Sequence, residues 1–399
     1  MMRILMVTPG RLPVPAVRGG AVETLIELLL KYNDQYHNSD ITVVSAYDEV
    51  AVEKSKEYQH SEFYFIKRNR LGEIAMKKHL LPYRFFDYCF SKKTGYFLQK
   101  KKLSFDVIII QNELVNGWAI KPYIQGSYIY HAHNDTLNSN NKRDVDFLRS
   151  CDKVIAISDY LAACFCNKAG LRQVMTVYNG IDTEIFDKEL HQETRLRLRR
   201  QYGIEPDESL IVFAGRLVPE KGIEVLLEAV KRISEEQKVK LLIIGASFFK
   251  ESGENDFVKH LKELSVPVKK RIIFSGYVDY ADMPSYYSMA DIGCIPSLWE
   301  EPFGLAVVEQ MAMELPIIAT DAGAISEIVD ESCGYLFHRD SQLSGKIAEA
   351  VTDLCTYKEK RKIMGLAGRK KVMELFSQKL FCEKWFQMVT GRSGNGAML

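Results

Sequence analysis

Two glutamates stand near the start of a predicted helix, with seven residues between them. Glu301 comes just before the helix and Glu309 lies within it, because the apolar residues of 303–314 recur at helical spacing. Carboxylates accept hydrogen bonds from neutral hydroxyl groups but repel phosphate. The pair is therefore suited to a ligand that carries several hydroxyls. For either glutamate taken alone, a solvated charge on the helix surface is the more frequent explanation.

The same helix start offers a second kind of binding group. The backbone N–H groups of Phe303, Gly304 and Leu305 stand where N–H groups have no acceptor within the helix, and where the helix dipole favours an anion. Gly304 also lets the backbone approach a ligand closely. A phosphate beside several hydroxyls describes a nucleotide-sugar.

Two cations follow a predicted strand over 210–214. Arg216 and Lys221 fall in the loop between that strand and a predicted helix over 223–233. Arginine can donate forked hydrogen bonds to two phosphate oxygens, while lysine supplies a point charge. Together they would neutralise a departing diphosphate. Taken alone, a cation in a loop is most often a plain surface charge.

These residues fall in two motifs that resemble those of the retaining GT-B glycosyltransferases of family 4, also called group 1. Segment 301–309 reads Glu-Pro-Phe-Gly-Leu-Ala-Val-Val-Glu, and segment 215–222 reads Gly-Arg-Leu-Val-Pro-Glu-Lys-Gly. The resemblance implies that Glu309 holds the donor ribose, Glu301 the transferred sugar, and Arg216 with Lys221 the diphosphate. It also implies a UDP-sugar donor and no requirement for a metal.

Other residues are placed by the resemblance. Gly19 and Gly20 match a glycine loop that approaches the donor phosphate and the acceptor, and His133 matches a histidine that contacts the transferred sugar. Tyr277 matches a loop whose backbone reads the nucleotide base. His131 and His133 would share one face of a strand, so a metal site is an alternative, although no third ligand is near in sequence.

The elements that must position these residues alternate along the whole chain. Short apolar runs and amphipathic stretches follow one another, which is typical of βα units around parallel sheets. We predict an α/β fold of the GT-B kind, with two Rossmann-like parallel-sheet domains facing across a cleft. The predicted strands are 3–8, 41–45, 63–67, 107–110, 128–131, 154–157, 175–178, 210–214, 240–244, 272–275, 292–296 and 317–320.

The predicted domain boundaries follow from this order. The N-terminal domain, 1–183, would bind the acceptor, and the C-terminal domain, 184–375, would bind the nucleotide-sugar donor. The last amphipathic stretch, 376–390, predicts a helix with two alternatives. It crosses back to the N-terminal domain, as the resemblance implies, or it caps the domain that precedes it.

The composition excludes some classes of function. The chain has 399 residues, with 53 Lys and Arg against 52 Asp and Glu, so its formal net charge is +1. Nucleic-acid binders usually carry a strong basic excess, so we expect no nucleic-acid partner. No segment approaches the roughly eighteen apolar residues of a membrane span. The eight cysteines include no Cys-x-x-Cys pair, which indicates buried free thiols in a reducing cytoplasm.

Three charged stretches need interpretation. Residues 66–102 hold eleven Lys and Arg against two acids, with seven aromatic residues among them. Such a patch contacts an anionic membrane, here the inner face of the plasma membrane, or it buries its aromatics and exposes its charges. We interpret 184–208 as a linker with a solvated helix. Asp144 and Asp146 are interpreted as surface residues, not as the metal-binding Asp-x-Asp of GT-A enzymes.

The sequence thus predicts transfer of a sugar, with retention, to a hydroxyl of a carbohydrate or lipid-linked acceptor. The family implies a role in cell-surface polysaccharide or glycolipid assembly, and residues 46–150 would decide the acceptor. Two alternatives remain. One is a GT-B sugar-nucleotide epimerase, which needs an acid/base pair beside the sugar ring. The other is a non-catalytic sugar-nucleotide-binding or coat protein of the same fold.

Overall fold

The structure, a computed structural model, describes residues 1–67, 83–246 and 255–391. The chain divides into two compact units. Unit 1 comprises residues 1–180 together with the C-terminal segment from Gln378, and unit 2 comprises 181–377. Each unit is built around one parallel β-sheet.

A seven-stranded sheet forms the centre of unit 1. Its strands are β1 (Arg3–Val7), β2 (Asp40–Ala46), β3 (Ser61–Ile66), β4 (Val107–Gln111), β5 (Ser127–Ala132), β6 (Lys153–Ala156) and β7 (Met175–Thr176). They pair in the order β3-β2-β1-β4-β5-β6-β7, and every pair is parallel. The middle strand β4 reads Val-Ile-Ile-Ile-Gln and is buried along its whole length, as expected for a parallel strand covered on both faces.

Helices connect these strands. They are α1 (Ala21–Tyr36), α2 (Glu49–Ser55), α3 (Tyr83–Lys100), α4 (Leu114–Ile120), α5 (Lys142–Arg149) and α6 (Asp159–Ala169), and α15 (Gln378–Thr390) closes the unit. The rings of Tyr32 in α1 and Phe386 in α15 stack at 5.8 Å. The last helix therefore packs on unit 1.

A six-stranded sheet forms the centre of unit 2. Its strands are β8 (Ser209–Ala214), β9 (Val239–Ile244), β10 (Ile272–Gly276), β11 (Ile292–Ile295), β12 (Ile317–Thr320) and β13 (Gly334–Phe337). They pair in parallel in the order β10-β9-β8-β11-β12-β13. The sequence did not predict β13, which reads Gly-Tyr-Leu-Phe, because this edge strand is short and only partly buried.

The helices of unit 2 surround this sheet. They are α7 (Gln192–Gln201), α8 (Ile223–Arg232), α9 (Asp256–Ser265), α10 (Met283–Ser288), α11 (Leu305–Ala312), α12 (Ile325–Ile328), α13 (Leu343–Thr356) and α14 (Lys358–Leu375). Short 3₁₀ turns cover Lys188–His191, Pro219–Lys221, Val266–Arg271 and Tyr280–Asp282. Leu226 and Leu227 of α8 and Val351 of α13 are buried in one apolar cluster with Ile211 and Phe213 of β8.

Two of the interpretations of charged stretches are wrong at one residue each, whereas Asp146, Arg197 and Arg200 are exposed as expected. Asp144 is fully buried, where it accepts hydrogen bonds from Arg84 at 2.8 Å and from the indole N–H of Trp118 at 3.0 Å. Arg199, in the stretch interpreted as a linker with a solvated helix, is also buried and pairs with Asp291 at 3.2 Å. In both cases a partner far away in sequence compensates a charge that would otherwise remain in water.

The structure also tests the predictions about cysteines and membrane-spanning segments. All eight cysteines are free; Cys294, Cys333 and Cys382 are buried and the other five are half-buried. Within residues 1–67, 83–246 and 255–391, no helix combines the length and the apolar character needed to cross a bilayer. Part of the basic stretch 66–102, residues 68–82, lies outside the described residues.

Candidate functional site

The predicted donor residues of unit 2 lie where strands of its sheet end. Arg216 and Lys221 follow β8, Tyr277 follows β10 directly, and Glu301 follows β11. Because all strands are parallel, their carboxyl ends share one edge of the sheet, and this edge is where such sheets bind ligands. The sequence motifs and the topology therefore indicate the same edge.

Lys221 and Glu301 are in direct contact at this edge. Nζ of Lys221 lies 2.6 Å from Oε1 of Glu301, although 80 positions separate the two residues. The hydroxyl of Ser297 donates to the same oxygen, and the ammonium lies 5.2 Å from the ring centroid of Trp299. Both charged side chains are largely buried, with exposed fractions of 18% and 8%. The cation and the carboxylate are thus held in place together.

Backbone contacts fix the loop that carries Glu301. The N–H of Leu298 donates to the carbonyl of Glu220 at 2.8 Å, which joins this loop to the loop of Lys221. The N–H of Ala324 donates to the carbonyl of Glu301 at 2.9 Å, and the hydroxyl of Thr320 donates to the carbonyl of Ser297 at 2.6 Å. These hydrogen bonds define the conformation of the loop.

Helix α11 begins immediately after this loop. Gly304 precedes its first residue, Leu305, and has a φ of 112°, a left-handed value that favours glycine. Phe303, just before it, is buried and packs edge-on against Phe376. The first N–H groups of α11 have no acceptor within the helix. This predicted anion-binding helix start begins four positions after Glu301.

Arg216 differs from Lys221 in its surroundings. Its side chain is 45% exposed, and its nearest carboxylate is that of Glu220, at 3.8 Å. At this distance and exposure the ion pair contributes little, and the guanidinium can reorient at small cost. Arg216 therefore supplies a mobile cation at the edge where Lys221 supplies a fixed one.

Glu309 is buried within α11 and is held by tyrosines. Its Oε2 accepts a hydrogen bond from the hydroxyl of Tyr287 at 2.9 Å. Burial raises the pKa of Glu309 to about 7, while the hydroxyls of Tyr287 and Tyr280 act in the opposite direction. Neither tyrosine could be recognised as a site residue from the sequence. Their spacing shows only that they belong to a short helix and the turn before it.

The glycine pair of unit 1 lies at the start of α1. Gly20 precedes the helix with a φ of 103°, and a Cβ there would lie 2.2 Å from Oε2 of Glu23. Glu23 is in the first turn of α1 and is buried. Burial raises its pKa to about 7 against the opposing charge of Arg11. The close approach of Glu23 is a reason for glycine that the sequence alone does not reveal.

His133 follows β5 and is buried as a neutral ring. Burial and the neighbouring His131, whose ring lies 4.2 Å away, hold the pKa of His133 well below its usual value. Its Nε2 lies 2.8 Å from Oε1 of Gln111, which can only accept, so Nε2 carries the proton. Nδ1 has no hydrogen-bond partner among the described residues. It presents a lone pair to any hydroxyl that reaches it.

His131 serves the packing of the last helix. Its Nδ1 accepts a hydrogen bond of 3.4 Å from the indole N–H of Trp385 in α15, and burial lowers its pKa to about 3. Within the part of the chain that the structure describes, no group of three or more His, Cys, Asp and Glu is arranged to hold a metal ion. The hydrogen-bond partners of the two histidines are Trp385 for His131 and Gln111 for His133.

A group of acids beside β1 and β4 was also missed. Asp87 and Glu113 are buried, and Arg11 lies 2.8 Å from the first and 3.4 Å from the second. Burial raises the pKa of Glu113, and the charge of Glu113 adds to the burial that raises the pKa of Glu23. These residues come from four separate segments, so no local pattern could have indicated the group.

Comparison with protein families covers most of the chain in two parts. Residues 194–371 match the model of "Glycosyl transferases group 1". Residues 18–185 match the model of "Glycosyltransferase Family 4". The two matches lie within unit 2 and largely within unit 1, respectively.

Individual proteins agree with these models. The chain is 26% identical over 388 residues to spore coat protein SA of Bacillus subtilis, which covers 94% of this chain and 96% of that protein. It is 30% identical over 186 residues to the lipopolysaccharide 1,2-N-acetylglucosaminetransferase of Salmonella typhimurium, covering 46% and 48% of the two chains.

Solved structures show the same fold. Anabaena Alr3699/HepE, crystallised in complex with UDP and glucose, superposes with a TM-score of 0.77 at 21% identity over 98% of this chain and 100% of that one. The chain therefore belongs to the group 1, family 4 glycosyltransferases, enzymes of the hexosyltransferase type with the α/β GT-B fold.

Proposed function

We propose that this glycosyltransferase moves a sugar from a UDP-sugar to a hydroxyl of a carbohydrate or lipid-linked acceptor, with retention at the anomeric carbon. The observation that carries the proposal is the contact of 2.6 Å between Lys221 and Glu301 at the carboxyl edge of the unit 2 sheet. It joins a phosphate-binding cation to a hydroxyl-binding carboxylate. The complex of Anabaena Alr3699/HepE with UDP and glucose supports the choice of donor.

The leaving diphosphate needs positive charge as the glycosidic bond breaks. We propose that Lys221 and Arg216, with the N–H groups at the start of α11, supply it at the carboxyl edge of the unit 2 sheet. Because these groups meet that need without a cofactor, we propose that turnover does not depend on a divalent metal. Full activity in the presence of excess EDTA is expected, and loss of activity that Mg²⁺ or Mn²⁺ restores would contradict it.

The sugar and ribose hydroxyls need acceptors. We assign the transferred sugar to Glu301 and the ribose to Glu309, whose carboxylates are both buried. Glu301 already binds Lys221 and Ser297, which makes it a poor covalent nucleophile. We therefore propose that the acceptor hydroxyl attacks on the face from which the diphosphate leaves.

Unit 1 is proposed to bind the acceptor, and His133 to contact the transferred sugar. A neutral His133 with a free lone pair on Nδ1 can accept a hydrogen bond from a sugar hydroxyl without repelling it. The chemistry of relatives suggests the pathway. The Salmonella typhimurium relative acts on lipopolysaccharide, so we propose a role in cell-surface polysaccharide or glycolipid assembly.

The test is an assay of transfer from a panel of UDP-sugars to candidate hydroxyl acceptors. Release of UDP and the anomeric configuration of the product are measured together, the latter by NMR. Transfer with retention is the expected result. Donor conversion to an epimer without any acceptor would instead identify a sugar-nucleotide epimerase.

One observation favours a second candidate. The match to spore coat protein SA of Bacillus subtilis extends over 94% of this chain, so a structural role that retains sugar-nucleotide binding is the alternative. It predicts that UDP binds but that no donor in the panel turns over. Calorimetric titration with UDP, run beside the transfer assay, separates the two candidates.

We further propose that α3 contacts the inner face of the plasma membrane. In the described part of the stretch 66–102, Phe85 and Tyr96 of α3 are 49% and 62% exposed. Lys93, Lys100, Lys101 and Lys102 are exposed as well, whereas the acid Asp87 is buried. An aromatic and basic surface of this kind complements anionic lipid headgroups. A cytoplasmic location agrees with the eight free thiols.

Co-sedimentation with vesicles tests the membrane proposal. Binding to vesicles that contain phosphatidylserine, lost at high salt, is expected, with little binding to phosphatidylcholine alone. Replacing Lys100, Lys101 and Lys102 with Glu should abolish it, since each lysine contributes roughly 1 kcal/mol near an anionic surface. Replacing the exposed Lys56 and Lys259 is the control. Binding that is insensitive to salt would refute the proposal.

A further inference from the structure

We propose that Tyr287 positions Glu309 for the donor ribose: its hydroxyl donates to Oε2 and so fixes the orientation of the carboxylate. This inference rests on the proposed function, because it presumes that Glu309 binds ribose. It assigns a role to a residue that does not itself touch the substrate. Tyr287 is therefore a positioning residue.

The geometry restricts Tyr287 to this role. Its side chain is completely buried, and its hydroxyl lies 2.9 Å from Oε2 of Glu309. Its ring lies 6.3 Å from that of Phe186, which also packs edge-on against Tyr280 at 5.8 Å. A packed ring has few rotamers, so the hydroxyl can only point where the carboxylate now lies. The orientation of the Glu309 carboxylate is in turn fixed at Oε2 by this hydroxyl, and Tyr280 also donates to the carboxylate.

The electrostatics give the contact a second consequence. A hydroxyl that donates to a carboxylate favours its charged form, while burial disfavours that form. The two effects are opposed at Glu309, and burial prevails, so its pKa rises to about 7. Without the hydroxyl of Tyr287, the pKa would rise further. A neutral carboxyl is a weaker acceptor for ribose hydroxyls than a carboxylate.

Other ionisable groups around α11 do not replace the tyrosines. Cys294 lies on β11, Glu327 on α12, and Arg369 on α14 donates to the carbonyl of Ala312 and pairs with Asp187. Asp182 acts on Tyr280. Of these neighbours, only Tyr287 and Tyr280 act on the pKa of Glu309. Loss of Tyr287 should therefore appear as an altered pH dependence of nucleotide binding.

Calorimetric titration with UDP from pH 6 to pH 9 tests the inference. In the wild type, affinity should rise through about pH 7 as Glu309 ionises. In Tyr287→Phe, binding at pH 7 should weaken about tenfold, the effect of one lost hydrogen bond to a charged group. The deficit should shrink at pH 9. A purely structural role for Tyr287 would instead weaken binding equally at every pH.

Tyr286→Phe is the matched control. Its hydroxyl lies 3.2 Å from that of Tyr202 and is not a partner of Glu309. It should retain the wild-type affinity and the wild-type pH midpoint of the change in affinity. Ionisation of UDP itself affects this control and the test variant equally. The double variant Tyr287→Phe/Glu309→Gln should bind no worse than Glu309→Gln alone, because the two residues act as one unit. Additive losses would overturn the inference.

Two results distinguish failure of the positioning role of Tyr287 from failure of the proposed function. If the wild type binds UDP and Tyr287→Phe shows the same affinity and the same midpoint, only the positioning role is overturned. If the wild type binds none of UDP, ADP and GDP, the proposed function is overturned and this inference with it. Thermal unfolding of each variant, compared with the wild type, confirms that affinities are measured on folded protein.

Discussion

The carboxyl edges of the two sheets are built alike and charged differently. In unit 2, the edge carries Lys221 and Arg216 with the start of α11, and Lys221 is paired with Glu301. In unit 1, the corresponding edge carries the buried acids Asp87 and Glu113, with Arg11 as their close cation and with histidines that burial keeps neutral. We propose that the first edge binds an anion and the second binds uncharged hydroxyls.

This difference shows that a shared topology does not determine chemistry. Parallel strands bring side chains to one edge in both units, but the identity of those side chains decides which ligand can bind. Each unit also buries one glutamate with a pKa of about 7, Glu23 in unit 1 and Glu309 in unit 2. Glu309 faces tyrosine hydroxyls, whereas Glu23 faces a glycine loop and the charge of Arg11.

The largest expected effect comes from removing a cation at the unit 2 edge. Lys221→Ala or Arg216→Ala should each lower turnover by roughly 10²-fold or more, as for loss of one donor that stabilises a transition state. Lys231→Ala is the matched control, since Lys231 also pairs with a glutamate of unit 2, Glu228, but on a helix away from the edge. In steady-state assays, Lys231→Ala should have the turnover of the wild type. Wild-type turnover in Lys221→Ala would break the comparison.

A smaller effect should follow from closing the space at the glycine loop of unit 1. In Gly20→Ala the new Cβ would meet Glu23 at 2.2 Å in a left-handed conformation. We expect a loss of roughly 1–3 kcal/mol in the free energy of unfolding, measured by urea titration. Gly345→Ala, where a Cβ meets nothing within 4 Å on a helix, is the control. It should be neutral or slightly stabilising.

The pH dependence of stability sharpens the comparison within a single helix. Burial raises the pKa of Glu23 from 4.5 to about 7, so folding favours its neutral form. Its contribution to stability is present below pH 4.5 and is lost as pH rises through 7. Relative to the wild type, Glu23→Gln should therefore gain up to roughly 2–3 kcal/mol between pH 5 and pH 8.

Glu27, one turn later, is the opposite case. Its pKa is lowered despite burial, because Lys54 lies 2.7 Å away and the N–H of Ala16 donates to it. Its contribution is present above its unfolded pKa and is lost as pH falls. Glu27→Gln should therefore lose stability at pH 8 and lose less at low pH. The free energy of unfolding of each variant is measured by urea titration. Changes of the same sign at pH 8 in Glu23→Gln and Glu27→Gln would contradict the different surroundings described for the two glutamates.

The strands could be predicted because buried parallel strands are continuous apolar runs. Strand β8, predicted over 210–214, spans Ser209–Ala214, and its neighbours are placed similarly well. The edge strand β13 has only three consecutive apolar residues, all half-buried, and was missed. The donor motifs could be recognised because Glu301 and Glu309 sit at fixed spacing on one helix start. Their positions relative to Lys221 still required the fold.

The remainder depends on partners that no local pattern contains. Asp144 looked like a surface charge, but Arg84, 60 positions away, compensates it in the interior. Arg199 finds Asp291 at a separation of 92. Tyr287 is 22 positions from Glu309. The sequence around Tyr287 does not distinguish it from any other tyrosine of the core. The sequence shows that burying a charged side chain would cost free energy. Only the structure shows the hydrogen-bond or ion-pair partner that compensates this cost.

A crystal structure of the protein with UDP tests the central claim most directly. We predict pyrophosphate oxygens within hydrogen-bond distance of Lys221, Arg216 and the N–H groups at the start of α11, with the ribose hydroxyls on Glu309. UDP bound elsewhere, with the contact between Lys221 and Glu301 unchanged, would contradict the account.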